Sequence, residues 1–182
     1  MDHYNEQLVQ KQTETSDTVK RVLIILATVV LSAVCIFGAV IFGFMPLIVV
    51  VFGIFYLSWY LISSTMVEYE YIITNNDMDI DKIIGRRKRK RLITVKLNTV
   101  TEWGEYREGM GGNADATVMA SDATGESVWY VLAKHEKFGK VMVLFNPTEE
   151  TAVNINYGVP FSVRKKDLAA KSNEEDDENE QQ

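Results

Sequence analysis

Six consecutive basic residues, Arg86-Arg87-Lys88-Arg89-Lys90-Arg91, form the densest chemical feature of this 182-residue chain. Such a run suits an anionic lipid surface, where each Lys or Arg contributes about 1 kcal/mol. Three or four engaged side chains would supply about 3–4 kcal/mol, enough to dock a tethered domain but not to anchor a free one. The alternative is a solvated β-hairpin end whose charges protect the turn from aggregation. Both readings stand on sequence alone, and recognition of one specific phosphoinositide ranks below them. Nucleic acid is disfavoured, because no aromatic interrupts the run and the segment around it is neutral overall.

The other candidate groups carry less. Asp77-x-Asp79-x-Asp81 has the spacing of a calcium loop, but an EF-hand needs Gly at its sixth position and Glu at its twelfth. Those positions are Lys82 and Lys88. Three aspartates at period two read instead as the wet face of a strand, with Arg89 or Arg91 as cross-strand partners. Gly109-x-Gly111-Gly112 lacks the Lys and the following helix of a phosphate loop and reads as a turn. Glu102, Glu105 and Glu108 recur at three without a partner for acid–base work. The single Cys35 excludes an intramolecular disulfide, and two histidines, His3 and His135, leave too few ligands for the usual zinc sites. His135 falls in a polar turn and is expected to be exposed. The expectation is a non-catalytic protein with no cofactor and no metal.

The elements around these residues are set by where the apolar residues lie. A net charge of −6 and a mean hydropathy of −0.05 resemble those of an acidic soluble domain. Yet residues 22–67 form 46 positions without one charge. A single span needs about 20 apolar residues, so the stretch is long enough for two. Gly43 and Pro46 bracket the break. The pattern predicts a transmembrane hairpin over 22–66, with helices near 22–42 and 47–66. A buried soluble pair is disfavoured because neither segment has a polar stripe. A signal peptide would have a core of only about 7–15 residues, and Val34 before Cys35 does not fit a lipoprotein cleavage box.

Lys20 and Arg21 precede the first helix and the basic run follows the second, which places both termini in the cytoplasm by the positive-inside rule. Trp59 and Tyr60 are the expected aromatic interface anchors, with Lys20 and Arg21 as the basic ones. With no ionisable residue inside the spans, the hairpin reads as an anchor rather than a pathway. Thr28, Ser32 and Ser58 are expected to bond their own backbone carbonyls. Ala39-x-x-x-Gly43 is a small-residue spacing that could bring helices together.

Segmental charge sharpens the division. Residues 1–21 carry −1 and read as a polar cytoplasmic arm; 68–167 are neutral, with fifteen charges of each sign; 168–182 carry −5 and read as an acidic disordered tail. Within 68–167 the pattern is β first and helix last. Strands are expected at 68–74, 78–84, 92–97, 116–120, 127–133 and 140–145, with an irregular stretch over 98–108. Trp103, Trp129 and Tyr130 are candidates for core or for a partner groove, core being the default for Trp129. A helix over about 147–157 would be capped by Asn146, with Pro147 and Glu149 in its first turn. The fold class is thus α+β: a helical hairpin, then a small, mainly antiparallel β-barrel or sandwich closed by a C-terminal helix.

Tyr71-Ile-Ile-Thr-Asn-Asn-Asp-Met-Asp-Ile, the Gly85-Arg-Arg-Lys-Arg-Lys-Arg-Leu-Ile segment and Leu97-Asn-Thr-Val together resemble the opening of bacterial pleckstrin-homology-like (PH-like) domains. The resemblance is densest over 69–103 and extends to the helix near 147–157; the 104–116 loop has no counterpart in it. It implies a small multi-pass cell-membrane protein with a helical hairpin just ahead of the domain. The expected function is a membrane-anchored interaction or scaffold module with a protein partner or a second copy of itself. The alternatives are a sensor of lipid headgroup or membrane state, or an accessory subunit of a membrane transporter or enzyme.

Overall fold

The computed structural model describes residues 4–11, 15–110, 114–122 and 127–168. The chain divides into a helical unit, 12–67 with 84–88, and a sheet unit built from the remaining segments.

The helical unit contains α1 (Thr15–Phe42) and α2 (Leu47–Ser64). Gly43, at φ 62°, ends α1 in the left-handed conformation that glycine adopts without a Cβ penalty. A tight turn follows, in which the Leu47 amide donates to the Phe44 carbonyl at 3.2 Å. Both helices are long and apolar enough to cross a membrane. α1 begins seven residues before the expected start, because Thr15–Arg21 adds two polar turns that hydropathy alone does not mark. Thr28, Ser32 and Ala39 are buried on α1, whereas Gly43, the other member of the small-residue spacing, is exposed in the turn. Thr28 donates to the Ile24 carbonyl at 2.7 Å and Ser58 to the Ile54 carbonyl at 2.8 Å, as expected. The two hydroxyl oxygens also face each other across the helix pair. Ser32 departs from the expectation: its buried hydroxyl finds no partner among the described residues.

The sheet unit holds β1 (Tyr4–Gln10), β2 (Val67–Thr74), β3 (Asp77–Ile84), β4 (Lys88–Lys96), β5 (Val100–Glu105), β6 (Ala116–Met119), β7 (Trp129–His135), β8 (Gly139–Phe145) and α3 (Glu149–Gly158). These strands form two four-stranded sheets, in the orders β1-β2-β3-β4 and β5-β7-β8-β6. They do not close into a barrel. The second sheet is mixed, because β6 runs parallel to β8 while β5, β7 and β8 pair antiparallel.

Large apolar side chains of both sheets meet in one core. Tyr71 of β2 sits edge-on to Phe145 of β8 at 5.7 Å between ring centres. Met78, Ile80, Val131, Val141 and Val143 are fully buried, together with Ile155 of α3. The Tyr71 hydroxyl donates to the Ala120 carbonyl at 2.5 Å. The opposite face of β7 and β8 carries Tyr130, Leu132, Met142 and Leu144, covered by Tyr106 and Ala114.

The first strand overturns the reading of residues 1–21 as an arm. Residues 4–10 pair antiparallel with β2 along its whole length, from Tyr4↔Thr74 to Gln10↔Glu68. The strand lacks the usual signature because two of its three inward residues, Asn5 and Gln7, are amides. Asn5 is buried and donates to Glu150 at 2.8 Å while accepting from the Thr151 hydroxyl at 2.9 Å. Gln7 accepts from the Thr148 amide and donates to the Asn146 carbonyl, both at 2.8 Å. β1 is therefore bonded to the start of α3, and the apolar Tyr4 and Leu8 point outward.

Two smaller corrections follow from local geometry. The N-cap of α3 is Thr148, which accepts from the Thr151 amide. Asn146, expected in that role, instead accepts from the Asp122 amide at 2.7 Å. The stretch read as irregular contains β5, which a register shift between Val100 and Glu102 hides from a period-two pattern. Residues 169–182, the bulk of the acidic tail, lie outside the described residues.

Candidate functional site

The basic run spans the β3–β4 turn. Gly85 and Arg86 both have positive φ, at 59° and 56°, and the Arg87 amide closes the turn on the Ile84 carbonyl at 3.1 Å. This two-residue left-handed turn suits the twist of a β-hairpin. From Lys88 onward the chain is a strand, so alternate side chains point to opposite faces. The six charges are therefore divided by their backbone into different environments.

Arg89 and Arg91 meet buried acids. Arg89 pairs with Glu70 at 2.6 Å and lies 3.9 Å from Asp81. Arg91 contacts Asp81 and pairs with Asp79 at 2.6 Å. Thr94 completes the group by donating to Asp79 at 2.6 Å. The Glu70 and Asp81 side chains are only 4% and 3% exposed, so their charges depend on these guanidinium partners. The cross-strand partnership expected for the aspartates is present, but the face is not wet at Asp81. Burial holds the Glu70 carboxyl above its ordinary range; Arg89 opposes that rise and nearby Glu6 adds to it. Arg91 is held above its usual value chiefly by its hydrogen bond to Asp81.

Arg87 serves the helical unit. Its guanidinium lies 4.2 Å from the ring centre of Tyr60 and 5.3 Å from that of Trp59. It also donates to the Tyr60 carbonyl at 3.1 Å, within the last turn of α2, where a cation meets the negative end of the helix dipole. The two aromatic anchors and one residue of the basic run thus form a single cluster. Arg21 donates to the Thr65 hydroxyl at 2.7 Å, joining the start of α1 to the end of α2, and Lys20 pairs with Asp17 at 3.4 Å.

Lys88 and Lys90 remain. Both are exposed, and neither side chain makes an ion pair or hydrogen bond with the described residues. From Arg87 to Arg91 the run is thus a ladder of alternating jobs, which the alternation rule could have revealed once the turn was placed at 85–86.

The remaining candidates are scattered. Glu102 accepts from the Tyr130 hydroxyl at 2.7 Å, and burial together with that bond pushes Tyr130 up to about 12. His135 is half-buried rather than exposed, stacked on Phe138 at 5.0 Å between ring centres. Trp103 is buried and donates to the Val163 carbonyl at 2.9 Å; Trp129, the default core residue, is half-buried against it. Of the glycine loop only Gly109 and Met110 are described, and His3 lies outside the described residues.

A family model described as a bacterial PH-like domain matches residues 1–165. The chain belongs to this PH-like family. The match includes β1 and the hairpin, so the strand before the spans and the sheets after them belong to one family unit. No curated protein and no solved structure matches the chain. Membership in the PH-like family accounts for the β-then-helix order and names no reaction or partner.

Proposed function

We propose that this PH-like protein is a non-catalytic, membrane-anchored interaction module whose two helices cross the cell membrane and whose sheet unit faces the cytoplasm. The observation that carries the reading is the pairing of Gln10 with Glu68. The hairpin is an insertion between two neighbouring antiparallel strands, so the chain must return to the side it left. An even number of crossings satisfies that constraint. The Lys20–Arg21 pair and the basic run flank the insertion, as the positive-inside rule requires of a cytoplasmic side.

The lipid contact expected from the sequence for Arg86–Arg91 narrows to Lys88 and Lys90, with Arg86 and Arg87 beside them. Two ammonium groups supply about 2 kcal/mol near an anionic surface, enough to bias a tethered domain by roughly 30-fold. The test uses the full chain in nanodiscs of phosphatidylcholine with and without anionic phosphatidylglycerol. Acetylation of Lys88 and Lys90 is expected to slow several-fold on the anionic discs. Equal rates on both discs would remove lipid docking from the proposal.

A further inference from the structure

Within the helical unit a groove of about 450 Å³ opens between α1 and α2. Small side chains make it: Thr28, Ser58 and Ser63 leave the space that Ile25, Phe55 and Trp59 enclose. The Thr28 and Ser58 hydroxyls donate to carbonyls of their own helices, and the remaining walls are mainly apolar. Inside a bilayer no water is at hand to fill such a space, so a lipid chain or another helix must. One end of the groove is cationic. Arg21 stands one helical turn before Ile25, on the same face of α1, and donates to the Thr65 hydroxyl at 2.7 Å. Arg87 lies over the ring of Trp59 at 5.3 Å and donates to the Tyr60 carbonyl. The turn that carries Arg87 rests on the same end: the Gly85 amide donates to the Met66 carbonyl at 2.8 Å, and Met66 lines the groove. Neither guanidinium pairs with a carboxylate among the described residues, and Asp17, one turn before Arg21, pairs with Lys20.

We propose, on the two-span reading of the hairpin, that this groove holds one anionic phospholipid, its phosphate at the Arg21–Arg87 end and an acyl chain against Thr28 and Ser58. The depth fits. Thr28 is seven residues beyond Arg21 on α1, about 10 Å along the helix. Positive charge at the cytoplasmic rim above an apolar channel of that depth matches a headgroup at the interface with its chain running inward. Charge also favours a lipid over a second copy of the chain. Copies in one membrane share an orientation, so a two-fold interface through this groove would set Arg21 and Arg87 against their own counterparts at one depth. Those like charges repel, whereas an anionic headgroup neutralises them. The site differs from surface docking by Lys88 and Lys90 in two respects: it saturates at one lipid per chain, and it needs the groove as well as the charge.

The test uses the full chain in phosphatidylcholine nanodiscs, one chain per disc, with a small fraction of lipid brominated on its acyl chains. Trp59 is the only tryptophan in the spans, and Trp59→Phe supplies the blank. Brominated phosphatidylglycerol is expected to quench Trp59 about tenfold more effectively than brominated phosphatidylcholine, the scale of two basic side chains near an anionic headgroup. Unbrominated phosphatidylglycerol should compete to a limit of one per chain. Arg21→Gln/Arg87→Gln should abolish the preference. Val29→Phe, which narrows the groove and leaves every charge in place, should weaken it several-fold. Lys88→Gln/Lys90→Gln should keep it. A preference that survives either groove change, or that disappears with the two lysines, would overturn the proposal in favour of general enrichment of anionic lipid. Equal quenching by the two lipids would overturn it as well, and an intermolecular disulfide in a Val29→Cys/Cys35→Ser chain would then assign the groove to a second copy. Release of the chain from liposomes by alkaline carbonate would overturn the two-span reading together with the site. A chain that resists carbonate and shows no preference overturns the site alone.

Discussion

Replacing Arg91 with Gln should unfold the sheet unit at a markedly lower temperature, whereas replacing its neighbour Lys90 should not. Arg91 contacts Asp81 and pairs with Asp79, and the Asp81 side chain is 3% exposed. Removing the guanidinium leaves a buried carboxylate without its counter-ion. Breaking a fully buried pair costs about 3–5 kcal/mol. Arg91 itself is 48% exposed, so water replaces part of the lost interaction. The discounted loss is about 2–3 kcal/mol, in line with hydrogen bonds to charged groups. In a domain of about 100 residues each kcal/mol moves Tm by about 4 °C, so the expected shift is about 8–12 °C. Arg89→Gln should shift Tm by a similar or smaller amount, and the double variant by less than the sum, because both arginines approach Asp81. The assay is thermal unfolding of the full chain in detergent, followed by Trp103 and Trp129 fluorescence in a Trp59→Phe background. Lys88→Gln and Lys90→Gln should stay within about 2 °C of the parent, as surface changes do. A Tm for Arg91→Gln within that margin, or a Lys90→Gln variant as unstable as Arg91→Gln, would refute the division of the basic run by strand face.

Two other outcomes test the sheet unit. Asn5→Ala removes two of the side-chain hydrogen bonds between β1 and the α3 segment, those to Glu150 and Thr151, and should cost about 2–3 kcal/mol in urea unfolding, with faster amide exchange across residues 4–10; unchanged exchange there would contradict the role assigned to the strand. Glu70 has a folded-state pKa above its unfolded value, so the folded form binds its proton more tightly. Its contribution is fully present below the unfolded pKa, about 4.3, and is lost as pH rises through the raised value. The parent should therefore lose stability relative to Glu70→Gln as pH climbs from about 4 to 7, and a relative gain would contradict the sign.

What the sequence made legible depended on period and charge. The 46 uncharged residues announced a helical pair, and Gly43 and Pro46 marked the turn, because few other environments accept so long an apolar run. Six of the eight strands were readable where apolar and polar residues alternate or where β-branched runs are bounded by turns. β1 escaped because its inward positions, Asn5 and Gln7, satisfy their amides on α3, which inverts the expected pattern. β5 escaped because a register irregularity breaks its period. The parallel pairing of β6 with β8, and the open sheets in place of a barrel, are facts of long-range topology that local pattern does not carry. In the candidate site the composition was plain, but its division was not. Six basic residues look alike in sequence, and only the turn at Gly85–Arg86 decides that 87, 89 and 91 meet internal partners while 88 and 90 meet solvent.

The hairpin is inserted between two paired strands, so the decisive measurement is the sidedness of three positions. In a Cys35→Ser background, single cysteines at Ser16, Met45 and Asn98 would be tested in sealed membrane vesicles of known orientation with a membrane-impermeant maleimide. Ser16→Cys and Asn98→Cys should label from the cytoplasmic face alone, and Met45→Cys, in the turn between the helices, from the opposite face alone. Labelling of Ser16→Cys and Asn98→Cys from different faces, or of all three from one face, would contradict an anchor that crosses the membrane twice and returns to complete the sheet.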